Sequence, residues 1–196
     1  MKILFLADEE NMAYWDFFKK DDFTDIDLIV SCGDLHADYL SFLTTMTSIP
    51  VLYVRGNHDG KYEQRSPEGC ICIEDDIFVY EGIRFLGLGG SYRYKEGPNQ
   101  YSDAEMKKRV RRLWLQLFWR SGFDVLVTHA PAYGVHDGED LTHRGFSVFN
   151  ELIKKYEPKY FVHGHVHMNY GRQFPREYEI GKTKVINAYN HYIVEF

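Results

Sequence analysis

The chain has 196 residues, a formal net charge of −6, 44% hydrophobic residues and 16% aromatic residues. This length predicts a single domain spanning residues 1–196, and the hydrophobic content excludes an intrinsically disordered chain. The acidic balance provides no global field that would attract nucleic acid or anionic lipid.

The N-terminal apolar run is short and meets Asp8-Glu9-Glu10, so it predicts a buried strand rather than a secretion signal. The odd cysteine count, from Cys32, Cys70 and Cys72, favours reduced thiols and a cytoplasmic protein. No apolar run approaches the length that spans a bilayer, so we expect no membrane partner.

The first third of the chain alternates short apolar runs with amphipathic segments. Because each run is apolar on both faces, it predicts a strand of a parallel sheet covered on both sides. In chain order, the predicted elements are a strand at residues 3–7, a helix including residues 14–18, a strand at 26–31, a helix near 37–46 and a strand at 51–54.

Antiparallel pairing is predicted further along, because the apolar runs 77–80 and 83–86 flank Glu81-Gly82 as in a hairpin. Residues 87–100 are rich in Gly, Tyr and charge, which predicts a surface loop. The remaining predicted elements are a helix opened by the capping box Ser102-Asp103-Ala104-Glu105 with Met106, Val110, Leu113 and Leu117 facing the core, a strand at 123–128, a helix at 146–156, a strand at 160–163, a hairpin of 177–180 with 184–186, and a strand at 192–194.

Side chains of metal-binding type recur at or just beyond the ends of these predicted strands. Each alone has an ordinary explanation, such as a helix cap, a turn residue or a buried histidine. Together, and in this order, they predict ligands collected along one rim of a sheet, as a two-metal hydrolytic centre requires. The residues are Asp8, Asp34, Asn57, His58, His129, His165 and His167.

The motifs Gly33-Asp34, Gly56-Asn57-His58-Asp59, Thr128-His129 and Gly164-His165-Val166-His167 resemble those of the calcineurin-like metallophosphoesterase superfamily. Within it, the segments around His129 and His165 are similar to the small bacterial and metallophosphoesterase-domain-type phosphodiesterases. The resemblance covers nearly the whole chain. It implies an α/β fold, a four-layer α/β/β/α sandwich of two mixed β-sheets flanked by helices.

The resemblance also implies a dinuclear centre that hydrolyses a phosphodiester, or a phosphomonoester, of a small phosphorylated substrate. Attack by a metal-bound hydroxide would be assisted by His58 as proton donor to the leaving group. Two divalent metal ions are expected, with Mn²⁺ favoured and Fe, Zn or Mg²⁺ as alternatives. The implied ligands are a bridging Asp34, with Asp8, Glu10 and His167 at the first ion and Asn57, His129 and His165 at the second.

Glu10 departs from the family pattern, which usually has His at this position. A hard, charged oxygen donor in place of nitrogen predicts lower Lewis acidity and a preference for Mn²⁺ or Mg²⁺ over softer ions. Alternatively, Glu9 and Glu10 are solvated loop carboxylates and water fills the vacant position. Asp59 either orients His58 or caps the turn, and the cap is the favoured interpretation.

Two other functions remain open. The basic run of residues 107–112 predicts the solvated outer face of a helix, or else a groove that would make the chain a nuclease. The Glu10 departure would also suit a non-catalytic interaction scaffold. Among further candidates for substrate contact are His36, His143 and the aromatic residues Tyr92 and Tyr94. The sequence predicts no oligomeric state.

Overall fold

The structure, a computed structural model, describes residues 1–168 and 175–196. Two short 3₁₀ turns, Lys20–Phe23 and Asp59–Glu63, accompany the main elements. The elements are, in order, β1 (Lys2–Ala7), β2 (Leu28–Ser31), α1 (Ala37–Thr47), β3 (Val51–Tyr53), β4 (Ile71–Cys72), β5 (Asp76–Tyr80), β6 (Ile83–Leu88), β7 (Ser91–Tyr92), β8 (Gln100–Tyr101), α2 (Asp103–Arg112), α3 (Trp114–Trp119), β9 (Val125–Thr128), α4 (Ser147–Tyr156), β10 (Tyr160–His163), β11 (Glu177–Ile180), β12 (Thr183–Asn187) and β13 (Asn190–Glu195).

The strands form two large mixed sheets. The first has the order β13-β1-β2-β3-β4, in which β13 is antiparallel to β1 and the other pairs are parallel. The second has the order β11-β12-β10-β9-β6-β5, with antiparallel hairpins at both ends and parallel pairs between them. Both predicted hairpins are therefore confirmed.

Three apolar clusters hold the layers together. One lies between the sheets, where Phe5 and Val30 of the first sheet meet Phe85 and Val162 of the second. A second packs α1 against the first sheet, and a third packs α2, α3 and α4 against the second sheet. Burial of apolar area on both faces of each sheet explains why the strands are apolar throughout. The predicted sandwich of two mixed sheets flanked by helices is confirmed.

The helix predicted at residues 14–18 is wrong. This segment forms successive turns, in which the Asn11 side chain accepts the N–H of Ala13 at 2.9 Å and the Asn11 carbonyl accepts the N–H of Tyr14. The turns let Trp15 stack on Tyr39 of α1.

The surface loop predicted at residues 87–100 is also partly wrong, because residues 87–91 are buried and β7 pairs with β8. The capping box is confirmed, since Ser102 and Glu105 exchange both hydrogen bonds. In the part of the chain described, no helix is long and apolar enough to cross a membrane. The single-domain organisation and the cytoplasmic location stay predictions.

The packing of the two sheets brings one set of strand ends together. Asp8 follows β1, Asp34 follows β2 and Asn57 follows β3 in the first sheet, and the carboxyl ends of these parallel strands share an edge. His129 and His165 follow the neighbouring parallel strands β9 and β10 of the second sheet. The candidate residues therefore come from both sheets to one rim.

Candidate metal centre

Left-handed backbone conformations mark three of the candidate ligands. The φ angles are 68° at Asp8, 58° at Asp34 and 68° at His165. Such angles are uncommon for residues with a side chain, and they persist where the surrounding structure holds them in place. Each residue follows its strand within three positions, so the sharp turn directs the chain away from the strand at the rim.

Two glycines allow the turns to approach one another closely. A Cβ atom on Gly56 would lie 2.0 Å from Oδ1 of Asp34, and one on Gly164 would lie 2.7 Å from Oδ2 of Asp8. Any side chain at either position would displace a carboxylate. The glycines that precede Asn57 and His165 thus leave room for Asp34 and Asp8.

Asp34 lies within a set of hydrogen bonds that fixes its position. Its Oδ1 accepts the backbone N–H of His58 at 2.7 Å. Its own N–H is donated to Oδ2 of Asp59 at 2.8 Å, and the same oxygen accepts the N–H of Gly56 at 2.7 Å. Asp59 therefore caps and joins the two turns, which confirms the favoured interpretation of this residue.

Asp34, His129 and His165 offer ligand atoms that all lie within 4.8 Å of one another. Nε2 of His129 is 3.3 Å from Oδ2 of Asp34 and 3.0 Å from Oδ1 of Asn57. The set combines a carboxylate, an amide oxygen and two imidazoles, which is a donor chemistry suited to divalent cations such as Mn²⁺, Fe²⁺ or Zn²⁺. The residues present therefore fit a metal.

Backbone carbonyl groups orient both imidazoles. Nδ1 of His129 lies 2.9 Å from the carbonyl oxygen of Cys32, and Nε2 of His165 lies 2.6 Å from that of Thr142. A carbonyl oxygen only accepts, so the hydrogen is assigned to the ring nitrogen that faces it. Nε2 of His129 and Nδ1 of His165 are then the nitrogen atoms that remain for a metal.

The other three candidate ligands lie beside this set and are less tightly joined. Both carboxylate oxygens of Asp8 accept the N–H of His165, at 3.0 and 2.8 Å. Nε2 of His167 is 3.8 Å from Oδ1 of Asp8. Glu10 lines the same cavity, and its Oε1 accepts the N–H of His36 at 2.8 Å.

Burial and mutual charge shift the pKa values of the buried groups. Burial raises the pKa of Asp8 to about 7. Burial would also raise the pKa of Asp34, but the charge and hydrogen bond of His129 outweigh it and hold that pKa at about 2. For His129, burial lowers the pKa, whereas Asp34 more than compensates and raises it to about 9. The metal-free centre thus retains protons that a cation would displace.

A cavity of about 660 Å³ opens over these groups. His58 lies at its edge with an exposed side chain, and Nε2 is 3.9 Å from Oδ2 of Asp34. Away from the candidate ligands, the wall includes His36, Lys61, Arg65 and Tyr94.

Several residues that line the cavity or lie beside the candidate ligands were indicated only weakly, or not at all, by the sequence. The hydroxyl of Tyr94 lies 3.4 Å from Nδ2 of Asn57, and His143 reaches the cavity with its Nδ1 beside the carboxylate of Asp140. His163 is buried beneath the rim and faces Nδ1 of His136 at 3.0 Å. The role of the Thr142 carbonyl could not be predicted from any side chain. The neighbouring motif His143-Arg144-Gly145 did indicate that this loop could contact the substrate.

Solved structures of other proteins share the fold of this chain. A solved crystal structure superposes with a TM-score of 0.69 at 16% identity, covering 98% of this chain and 94% of the other. TT1561 of Thermus thermophilus gives a TM-score of 0.61 at 16% identity, with coverages of 96% and 89%. GAP50, the anchor in the inner membrane complex of Plasmodium, gives 0.53 at 16% identity, with coverages of 95% and 70%.

At these identities the structural neighbours show the fold alone. No curated protein gives a significant sequence match. The profile of the calcineurin-like phosphoesterases, which are metal-dependent enzymes and typically hold two metal ions, matches residues 1–169. Because that match covers most of the sequence, the chain belongs to the calcineurin-like phosphoesterase family.

Proposed function

We propose that this chain is a dinuclear metal-dependent phosphoric ester hydrolase that prefers phosphodiesters. One observation carries the proposal: ligand atoms of Asp34, His129 and His165, from three separate strand ends, lie within 4.8 Å of one another beside a cavity. Titratable groups with strongly shifted pKa values that converge beside a cavity are typical of a functional site.

Seven side chains would hold the two ions. Asp34 would bridge them, since a carboxylate offers two oxygen atoms to different partners. When bound, divalent ions supply an activated water nucleophile and positive charge for the phosphoryl oxygens. The proposed ligands are Asp34, Asn57, His129 and His165 for one ion and Asp34, Asp8, Glu10 and His167 for the other, with Mn²⁺ favoured.

His58 would donate the proton to the leaving oxygen. Its backbone N–H anchors it on Asp34, while its ring remains exposed at the edge of the cavity. The imidazole is thus held beside the proposed bridging ligand but is free to face a substrate. An imidazole changes its charge near neutral pH, which suits a general acid.

The preference for diesters is supported by the extent of the cavity. Beyond the candidate ligands, its wall continues to His36, Lys61, Arg65 and Tyr94. A phosphodiester carries a second ester group, which needs such space. The family resemblance favours the same substrate class.

The test compares bis(4-nitrophenyl) phosphate with 4-nitrophenyl phosphate, with added Mn²⁺ and after chelation. We expect faster turnover of the diester and loss of both activities on chelation. His58→Ala should lose about 10²-fold or more on an alkyl leaving group and much less on nitrophenolate, which departs without a proton. His36→Ala is the matched control, because His36 lines the cavity without a proposed role in proton transfer.

If the His58→Ala variant lost equal activity on both leaving groups, that result would contradict the role of His58 as proton donor. Faster turnover of the monoester would contradict the substrate preference. Mn²⁺ binding without turnover of any ester would favour the scaffold alternative. For the nuclease alternative, two of the five cations in the basic run are already engaged, since Lys107 pairs with Glu151 at 2.6 Å and Arg109 is buried against Glu74 at 2.8 Å.

A further inference from the structure

The short helix α3 exposes four large apolar side chains that nothing in the proposed chemistry uses. The exposed fractions are 62% for Trp114, 48% for Leu115, 73% for Phe118 and 78% for Trp119, whereas Leu117 is buried in the core. We call these four residues the α3 surface. Adjacent exposed apolar side chains on this scale usually mark a place where something binds.

The four side chains lie on two flanks of the helix. Trp114 and Phe118 line a groove of about 650 Å³ between α3 and α4, together with Val110 and Leu152. Leu115 and Trp119 do not line that groove, so a peptide lying in it would leave them exposed. A fluid interface, into which the exposed side of the helix sinks, would cover both flanks.

Cations flank α3 in the sequence, and Arg111 and Lys155 line its groove beside Glu151, which pairs with Lys107, although the chain as a whole has a net charge of −6. Apart from Lys107, these cationic side chains are exposed, and among the residues that the structure describes none of them has an ion-pair partner. A second copy docked face to face would bring the two sets of cations together, which disfavours a symmetric dimer here. The exposed cations are Lys108, Arg111, Arg112, Arg120 and Lys155.

We propose that the α3 surface binds the surface of an anionic lipid bilayer. Trp, Phe and Leu side chains favour the boundary between headgroups and acyl chains, and Lys and Arg beside them attract lipid phosphates. The expectation of no membrane partner came from whole-chain charge and from the lack of a spanning segment, and neither describes a local surface.

The location of the α3 surface leaves the metal centre accessible. Helix α3 precedes the amino end of β9, whereas His129 follows the carboxyl end of the same strand. The two features therefore lie toward opposite ends of the second sheet. Attachment through α3 would hold the protein on a membrane and leave its cavity open.

The test uses vesicles of phosphatidylcholine with about 30% phosphatidylglycerol, and vesicles of phosphatidylcholine alone. We expect co-sedimentation with the anionic vesicles, weakened by salt, and a blue shift of tryptophan emission as Trp114 and Trp119 leave water. The variant F118S/W119S and the variant R111E/R112E should each reduce the bound fraction about tenfold. Both should keep hydrolytic activity on a small ester without vesicles.

A matched control is M12S/F17S, which removes two other exposed apolar side chains from a segment rich in Asp. It should bind vesicles as the unaltered protein does. The proposal is overturned by an absence of binding to anionic vesicles, or by binding that F118S/W119S leaves intact. Tighter binding to a single-stranded oligonucleotide, or a dimer that the α3 substitutions dissociate, would equally overturn it.

Discussion

The two halves of the candidate metal centre differ in how firmly the protein arranges them. The inner cluster, Asp34, Asn57, His129 and His165, is joined by direct contacts of 3.0 and 3.3 Å around His129 and by carbonyl groups behind both imidazoles. The outer cluster, Asp8, Glu10 and His167, has a 3.8 Å separation between His167 and Asp8, and one oxygen of Glu10 faces a backbone N–H.

The inner cluster is therefore preorganised for a cation, whereas the outer cluster must adjust to bind one. A cation entering the inner cluster would displace a proton from His129 and would find its other proposed ligands already oriented. A cation entering the outer cluster would also have to draw Glu10 and His167 towards it. We therefore expect two unequal affinities, and the following experiments test that expectation.

The largest effect should follow Asp34→Ala, because Asp34 is the one ligand that the two clusters would share. We expect a loss of about 10³-fold or more in kcat/KM on a phosphodiester, together with loss of both bound ions. Metal content after dialysis against Mn²⁺, measured by mass spectrometry, checks the second part. Asp38→Ala is the control, because Asp38 lines the cavity but pairs with Arg65 at 2.7 Å.

The next effect separates the clusters. His129→Ala should abolish the tighter of two Mn²⁺ binding events in calorimetry, whereas His167→Ala should weaken the second by about 10- to 100-fold and leave the first unchanged. His143→Ala, from the same cavity but outside both clusters, should preserve both events. Equal affinities of the two Mn²⁺ ions in the unaltered protein would contradict the proposed difference between the inner and outer clusters.

The inner cluster was also the part that the sequence predicted best. Asp34, Asn57 and His129 follow short apolar strands, so their place at the rim follows from strand ends alone. What the sequence could not give was the set of backbone partners, such as the Thr142 carbonyl behind His165, because every residue has a carbonyl group.

In the fold, too, local sequence patterns predicted the elements but not the contacts between residues distant in the sequence. Strands were located well because short apolar runs bounded by turn residues have few alternatives. Arg109 was assigned with its basic run to a solvated helix face, because apolar residues were expected to fill the inner face. It is instead buried and reaches Glu74, Asp75 and the carbonyl of Gly89. Its partners are distant in sequence, so no local pattern could indicate them.

A moderate effect concerns the stability of the metal-free protein. The pKa of Asp8 is about 7 in the folded protein and 3.8 in an unfolded chain. The stability that this difference contributes at low pH is therefore lost as the pH rises through 7. The pKa of His129 is about 9 in the folded protein and 6.5 in an unfolded chain. Its contribution to the stability of the folded protein is therefore lost as the pH rises through 9. Both signs agree. The melting temperature should therefore fall by about 5 °C between about pH 6.5 and 8.5.

Added Mn²⁺ should remove most of that fall, because it binds the deprotonated ligands. Asp8→Asn is the sharper variant, since it keeps the shape of the side chain without the charge. It should raise the melting temperature of the metal-free protein at the higher pH and lessen the stabilisation by Mn²⁺. A melting temperature that rises with pH in the absence of metal would contradict this account.

The smallest effect concerns Glu10, and three substitutions separate its two interpretations. If Glu10 is a ligand of the outer cluster, Glu10→Gln should weaken the second Mn²⁺ about tenfold, because it removes the charge. Glu10→His should then shift preference towards softer ions such as Zn²⁺. If Glu10 only accepts the N–H of His36, Glu10→Gln should be neutral, since an amide oxygen accepts that bond equally well.

Glu10→Ala removes both the charge and the acceptor, so it should lower the melting temperature under either interpretation and serves as the reference for the other two. Calorimetry with Mn²⁺ and with Zn²⁺ on all three variants provides the measurement. Ligation predicts that Gln resembles Ala in metal affinity, whereas a purely structural role predicts that Gln resembles Glu. The outer cluster is the more adjustable half, so the choice of metal is most open to change at this position.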